Sequence, residues 1–539
     1  MEFNSIQFRL FSFALAAVLL SGCGSLRYWW NNDRMVGPNY RKPEAYVAEV
    51  WNDVDSVRID TSCEIDSCWW YVFNDPDLNL LIEQVKSQNL SLKVACQRIR
   101  EARHLRNIAA ANLFPQSQSA SSGIAHTQNS QNTDTFMPGF TPLTLNDWGI
   151  GFDASWELDL WGRIRRSVYA ADAQVCERVH DYNYALISII ADTASLYIQI
   201  RSIDERIELA RRNVVIQEGS LDIAQKRFNE GRTDKLDVAQ AESNLATTRS
   251  LIPQLELARR QSLNALCVLL GLPPGEVPYL SEQPGIIPDI PPQIMVGIPA
   301  NLLCRRPDIR AAERQMFAQF QQIGIAEADM YPTLGINGNL GYNATRLSDV
   351  FESASFNGTI APGFNWNILN YGRLRESICV EEARFQQIMY DYQNAVLDAQ
   401  REVEDGIVEF IKKSEQYKFD LAAAKANEES VELAIASFKE GKSDFSRVFV
   451  VQSSLVQAQD LVVSTKACIA LALIQTYRSL GGGWGCCCTD ASDCNCANSG
   501  FSSDIEIVPD SQLDRIQEEA PDSDPRVDDD SAMVPFEQN

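Results

Sequence analysis

Arg227-Phe228-Asn229-Glu230-Gly231-Arg232-Thr233-Asp234 and Ser437-Phe438-Lys439-Glu440-Gly441-Lys442-Ser443-Asp444 are two spellings of one stretch, 210 residues apart. The same interval separates Trp161-Gly162-Arg163 from Tyr371-Gly372-Arg373. Two landmarks at one spacing define a duplicated unit, and the unit's interior is helical in pattern from Arg163 to Glu230. At 1.5 Å per residue that helix is on the order of 100 Å long. It has to coil against neighbours with its other face in water, because no compact domain can bury it. Gly231 breaks the helix, Thr233 or Asp234 offers a cap, and Leu236, Val238, Leu245, Leu255, Leu263 and Leu266 carry an antiparallel helix back to Gly271. The second copy repeats this with Gly441 as breaker, Ser443 or Asp444 as cap, and Phe445 to Leu480 returning. The chain therefore reads as two long hairpins with their tips in register.

Each copy also carries two polar, alternating segments, 116–127 and 145–158 in the first and 333–346 and 356–369 in the second. Ile150, Phe152, Ala154, Trp156 and Leu158 share one parity, and Asp153, Glu157 and Asp159 the other. Phe356, Gly358, Ile360, Pro362, Phe364 and Trp366 repeat the pattern. Period two with one apolar face and one wet face is what a membrane β-strand requires. The acidic parity reads as the wall of a water-filled lumen, not as the paired carboxylates of a hydrolase.

Ahead of the first alternating segment, Asp75-Pro76-Asp77 starts a helix that Asp77 can cap, with a break near Asn89 and an end at Pro115. Arg305-Arg306-Pro307-Asp308 opens the counterpart in the second copy, and Pro307 suits a helix's first turn. Residues 272–300 hold eight prolines and join the halves. From Cys486 to the end, 14 acidic residues face two basic ones, a tail with too little apolar content to fold alone.

The 539 residues are 45% hydrophobic with a net charge of -25, which excludes general disorder and disfavours nucleic acid as a partner. An apolar run from Leu10 to Leu20 leads into Leu20-Ser21-Gly22-Cys23, a signal peptide (1–22) followed by a site for lipid on Cys23 and a linker over 23–68. No other segment reads as a spanning helix. Among the 14 cysteines, Cys96, Cys176, Cys267, Cys304, Cys379 and Cys468 sit singly in apolar or helical contexts and read as small core residues. Cys63 and Cys68 are spaced for a short loop. Cys486, Cys487, Cys488, Cys494 and Cys496 leave disulfides, lipidation, free thiols and metal all open, although three adjacent cysteines suit a single ion poorly. His104, His126 and His180 are the only histidines and lie far apart, so no metal site or catalytic triad is built on them. Trp29-Trp30 and Trp69-Trp70 read as packing residues. No nucleophile, metal, cofactor or phosphate constellation is present, and the chain reads as a non-enzyme with no cofactor.

On these motifs the chain resembles a TolC-like outer-membrane efflux protein of the NodT-like lipoprotein branch over about residues 69–480. Leu20 to Cys23, Trp156 to Arg163, Leu236 to Glu242, Asn301 to Glu313 and Ala326 to Pro332 carry the likeness. It implies a mainly α fold with a transmembrane β-barrel. The repeats 69–271 and 301–480 would supply helical hairpins 163–270 and 373–480 to a periplasmic tunnel, and four strands per chain to a 12-stranded barrel closed by a homotrimer. It implies passive export of small molecules with a periplasmic adaptor (membrane fusion protein) and an inner-membrane resistance-nodulation-division (RND) or ABC pump, lipid-anchored in the outer membrane. A type I secretion duct and a non-channel envelope scaffold are the alternatives. By the same resemblance Gly231, Arg232, Thr233, Gly441, Lys442 and Ser443 mark the tips where the adaptor docks, and Asp234, Asp237, Asp444 and Arg447 surround the aperture. Family members often carry an acidic residue six or nine places after the second tip glycine. Arg447 and Val450 hold those places here, while the first copy has Asp237 and Gln240.

Overall fold

The computed structural model describes residues 29–484 apart from 31, 53–55, 57, 61–67, 133–136, 141, 276, 278–279, 281–284, 298, 300 and 301. Cys23, Cys63, the signal segment and the acidic tail lie outside the described residues. Among the described residues, seven helices of 13 residues or more and four strands of 10 or more carry the fold: α1 (Pro76–Gln88), α2 (Leu90–Ala111), β1 (Ser117–Gln128), β2 (Thr144–Leu158), α3 (Arg163–Asn229), α4 (Lys235–Leu269), α5 (Pro307–Ala328), β3 (Thr333–Ala344), β4 (Phe356–Asn365), α6 (Arg373–Lys439) and α7 (Phe445–Ser479). A short parallel pairing of Ile59–Asp60 with Ile294–Met295 ties the N-terminal arm to the connector.

The duplication holds to the residue in the lengths of the helices. α3 and α6 are 67 residues each, α4 and α7 are 35 each, and α2 and α5 are 22 each. In each half the short helix stands end to end on the returning helix. Asn89 Nδ2 donates to the Leu269 carbonyl at 2.8 Å, and Arg306 NH1 donates to the Ser479 carbonyl at 3.0 Å. The contact is so close that a Cβ on Gly481, at φ 75°, would lie 2.9 Å from the Arg305 carbonyl oxygen. Stacking turns two short helices into the equal of one long one, which is how seven unequal helices form a wall of even height.

Local chemistry departs from the sequence reading in several places. Asp75, not Asp77, caps α1, accepting from the amides of Asp77 at 2.9 Å and Leu78 at 3.2 Å. The Asp77 carboxylate instead accepts from Arg201 at 2.8 Å. β3 and β4 stop at Ala344 and Asn365, short of 346 and 369; Trp366 turns away to donate its indole to the Met330 carbonyl at 2.9 Å. Asp234 and Asp444 stand at the N-cap positions of α4 and α7 without a side-chain cap bond. Cys379 is exposed on α6, whereas Cys96 and Cys267 are buried.

The main core lies at mid-height, where Trp69, Trp70, Phe73, Tyr197, Tyr392 and Tyr477 are buried and Trp69 stacks on Tyr477 at 5.6 Å. The N-terminal arm docks along the helices. Trp29 sits on Trp161, Tyr40 lies between Phe317 and Phe320, Lys42 pairs with Glu313 at 2.7 Å, and the buried Trp51 donates to the Gly297 carbonyl. By length and composition α3 and α7 could each cross a membrane, against the expectation of no such helix. In α3, 67% of the apolar stretch is buried inside the chain, the mark of a core helix. His180 is buried on α3; burial first, then Arg310 and Arg314, lowers its pKa to about 3, so it stays neutral.

Candidate functional site: a two-faced sheet, a polar wall and paired tips

The sheet has the order β1-β2-β3-β4, antiparallel throughout. Register makes its faces unlike. Ala120, Phe152 and Leu340 align across three strands, as do Trp156, Ile336 and Pro362, and Leu158, Leu334 and Phe364. The opposite face aligns Ser119, Asp153, Asn339 and Thr359, and Ser155 donates across to Asn337 at 2.7 Å. Strands of 10 to 15 residues meet the roughly 9–11 that a tilted strand needs to span a bilayer. Trp29, Trp161, Tyr331 and Trp366 gather at the helix end of the sheet, where an aromatic belt would meet the headgroups. Asp153 and Glu157 lie on the polar face. Asp159 does not: its carboxylate accepts from the Ile164 and Arg165 amides at 3.1 and 2.9 Å and fixes the start of α3.

Below the sheet, α2, α3, α5 and α6 curve around a cleft of about 410 Å³ lined by Arg98, Gln174, Arg178, Gln315, Gln319 and Gln322. Glu101 and Glu177 line it too, so four glutamines stand among two arginines and two carboxylates, a polar wall whose formal charges balance and which would wet a passage. β1 and β4 are each paired on one side only. The layer's outer helices also carry exposed apolar residues, Val94, Leu105 and Ile108 on α2 and Val380, Tyr390 and Leu397 on α6.

At the far end, Gly231 (φ 69°) and Gly441 (φ 78°) reverse the chain by the same device. Gly231 N donates to the Phe228 carbonyl and Arg232 N to the Arg227 carbonyl, as Gly441 N and Lys442 N do to those of Phe438 and Ser437. Arg232 pairs with Glu230 at 3.3 Å and Lys442 with Glu440 at 2.5 Å, both solvent-exposed. The Thr233 hydroxyl donates to the Asp237 carboxylate. Arg447 occupies the Asp237 place in the second tip, and there the Ser443 hydroxyl is buried without a partner. Asp234, Asp444 and Arg447 are exposed, and within the chain no ion pair joins Asp237 to Arg447 among the described residues. The tips converge on an apolar cluster of Ala224, Val238, Ala241, Ala434, Phe438, Phe445 and Val448. The sequence reading missed Arg227, whose guanidinium donates to the Phe438 carbonyl and lies 4.5 Å over the Phe438 ring. The opening alignment, where Arg227 faces Ser437, shows only that the position is not repeated, not what it touches.

With the two-faced sheet and twin tips described, comparison with known proteins decides the assignment: residues 81–272 and 298–482 match the family described as outer membrane efflux protein. The chain belongs to that family. It is similar to the nodulation protein T of Rhizobium leguminosarum bv. viciae, 28% identical over 471 residues, 87% of this chain and 91% of that protein. The pyoverdine export outer membrane protein OpmQ of Pseudomonas putida is 27% identical over 421 residues, 78% of this chain and 88% of that protein. Among solved structures, the outer-membrane channel OprN superposes with a TM-score of 0.77 at 32% identity, covering 83% of this chain and 99% of that one. The Campylobacter jejuni CmeC outer membrane channel shares the fold, with a TM-score of 0.77 at 21% identity over 86% of this chain and 97% of that one. This TolC-type chain is thus an outer-membrane efflux channel, a conduit and not an enzyme, reaching from the outer membrane into the periplasm.

Proposed function

We propose that three copies close into one duct, the outlet of a tripartite pump that moves small molecules from the periplasm to the exterior through a periplasmic adaptor. The observation that carries this reading is the pair of open edges. β1 and β4 each leave a row of unpaired backbone groups, which lipid cannot satisfy, so the sheet must close on further copies. Four strands per chain make a 12-stranded barrel at three copies, the number the family resemblance supplies. The inner repeat suggests how the copies join. Ala170 and Ala173 of α3 pack on Ala318 of α5. With α3 laid on α6 by the 210-residue interval and α5 laid end to end on the equally long α2, those positions become Val380 and Ala383 of α6 and Glu101 of α2, all at the layer's outer edges. With Glu101→Cys and Val380→Cys in one chain, a short thiol crosslinker should give dimers and trimers that the parent chain lacks; monomer alone would sink the arrangement.

Cargo is read from the relatives. The names of several relatives refer to pyoverdine export or toluene efflux, and this chain's cargo is accordingly small and organic. A type I protein secretion duct is the second reading, favoured by no observation above.

Lipid on Cys23 is a separate expectation. Trp29 is seated against Trp161 and the Leu160 carbonyl at the sheet's helix end. Five residues lie between it and Cys23, a reach of at most about 20 Å, so a lipid on Cys23 would have the membrane edge within range. Cys23→Ala should abolish fatty-acid labelling; label persisting on that variant moves the modification elsewhere.

The tips, through Gly231, Arg232, Thr233, Gly441, Lys442 and Ser443, form the adaptor-docking end, and Asp234, Asp237, Asp444 and Arg447 line the aperture. Asp237 and Arg447 pair between neighbouring hairpins of the closed ring. An exposed pair of this kind contributes only about 0.2–1 kcal/mol and is screened by salt. Arg447→Glu should therefore raise resting conductance at low salt and do so less at high salt. An unchanged low-salt conductance removes the pair from the gate.

A further inference from the structure

Each chain's two tips are joined by one residue that the duplication does not repeat. Arg227, near the end of α3, donates to the Phe438 carbonyl at the end of α6, lays its guanidinium 4.5 Å over the Phe438 ring, and comes within 3.5 Å of a Cβ built on Gly441. The ring of Phe438 in turn meets Phe445 edge-on at 5.3 Å. The chemistry is favourable three ways: a cation meets the negative end of a helix, a charged donor adds a bond to a carbonyl that also accepts from Gly441 N, and a planar cation covers an aromatic face. By the repeat, the Arg227 position becomes Ser437, the Phe438 position becomes Phe228, and the Phe445 position becomes Lys235. The reverse joint, from the second tip to the first tip of a neighbouring copy, has no counterpart of the Arg227 guanidinium or its ring stack and is left with the partly exposed Asp237–Arg447 pair.

The coil above the tips is weakly held. Asn213 donates to Gln459, Asn244 to Gln452, and Gln452 to Ser220, all in a buried layer between the tip cluster and the main core. Gln217, 2% exposed in the same layer, has neither amide atom partnered. A half-satisfied polar layer resists displacement less than apolar packing would. The tips below it are fixed by a small apolar cluster and by Arg227.

From this we infer that Arg227 is the bolt of the periplasmic aperture: it fastens the second hairpin tip to the first within each chain and positions it in the closed state, while the joints between copies are held only by the partly exposed, salt-screened Asp237–Arg447 pair. The inference rests on the tips being the closed end of the duct. The test uses the full-length purified oligomer in planar bilayers. Arg227→Ala should raise the resting open fraction on the order of tenfold, the factor that loss of one charge-assisted hydrogen bond gives. The fully open conductance and the melting temperature of the oligomer should stay at the parental values. Arg227→Lys, which keeps a charged donor but loses the planar stack, should fall between parent and Ala. An Arg227→Ala channel as closed as the parent, or a Lys variant no tighter than Ala, overturns the bolt. A parent that conducts equally with its tips open or crosslinked would instead overturn the reading of the tips as the aperture.

Discussion

Phe152→Arg is expected to prevent outer-membrane assembly, while Ser121→Arg, one strand away on the opposite face, is expected to assemble as the parent does. Phe152 sits mid-strand on the apolar face, aligned with Ala120 and Leu340. Arginine at the lipid face of a barrel midplane costs about 2–4 kcal/mol, and a ring of three carries the cost three times. Ser121 aligns with Gly151 on the face of Asp153 and Ser119, where a charge meets water. Heat-modifiable oligomer in the outer-membrane fraction reads the difference. Equal loss in both variants would mean that the sheet has no lipid face.

Arg306→Ala is expected to carry a large stability loss for a change at a polar side chain outside the membrane. Its side chain is 7% exposed and holds three elements together: Asp308 at 2.6 Å, Glu402 of α6 at 2.8 Å, and the carbonyl of Ser479 at the end of α7. Removing one partner of a buried ion network leaves the rest uncompensated, a cost of roughly 3–5 kcal/mol for full burial. Asp308 and Glu402 remain partly wetted, at 27% and 38% exposure, so about 3 kcal/mol is expected. Urea unfolding of the detergent-solubilised oligomer measures it, with Arg306→Lys recovering part. A loss below about 1 kcal/mol would reduce the network to an ordinary surface pair. The same position in the first repeat is Asn89, which reaches the matching carbonyl of Leu269 with a neutral amide. One joint is thus ionic and the other neutral, and the second half should be the more sensitive to this change.

The sequence made the helices legible because their boundaries are set by local chemistry. Gly231 and Gly441 must adopt positive φ, and Gly162 and Gly372 do so ahead of α3 and α6. The strands were legible where period two is unbroken, as from Ile150 to Leu158, and misjudged at their ends. Trp366 keeps the parity of β4 but spends its indole on Met330, and parity alone cannot register that exchange. Asp159 failed the same way: it continues the acidic parity of β2, yet its carboxylate caps α3. The tip chemistry was only half legible. Motif spacing located Thr233 and Asp237, but Arg227 acts across 211 residues of sequence, and only a fold that brings both tips together reveals it. The N-terminal arm read as a linker because its anchors, Trp51 on Gly297 and Lys42 on Glu313, lie in distant parts of the chain.

The central claim is that copies of this chain close around a continuous, water-filled passage. Conductance of the purified full-length oligomer in a planar bilayer tests it most directly. The account predicts discrete, long-lived channel events that become frequent when the tips are loosened by Arg227→Ala, with an ohmic open state. An assembled oligomer that inserts yet passes no current, with its tips intact or loosened, would contradict it.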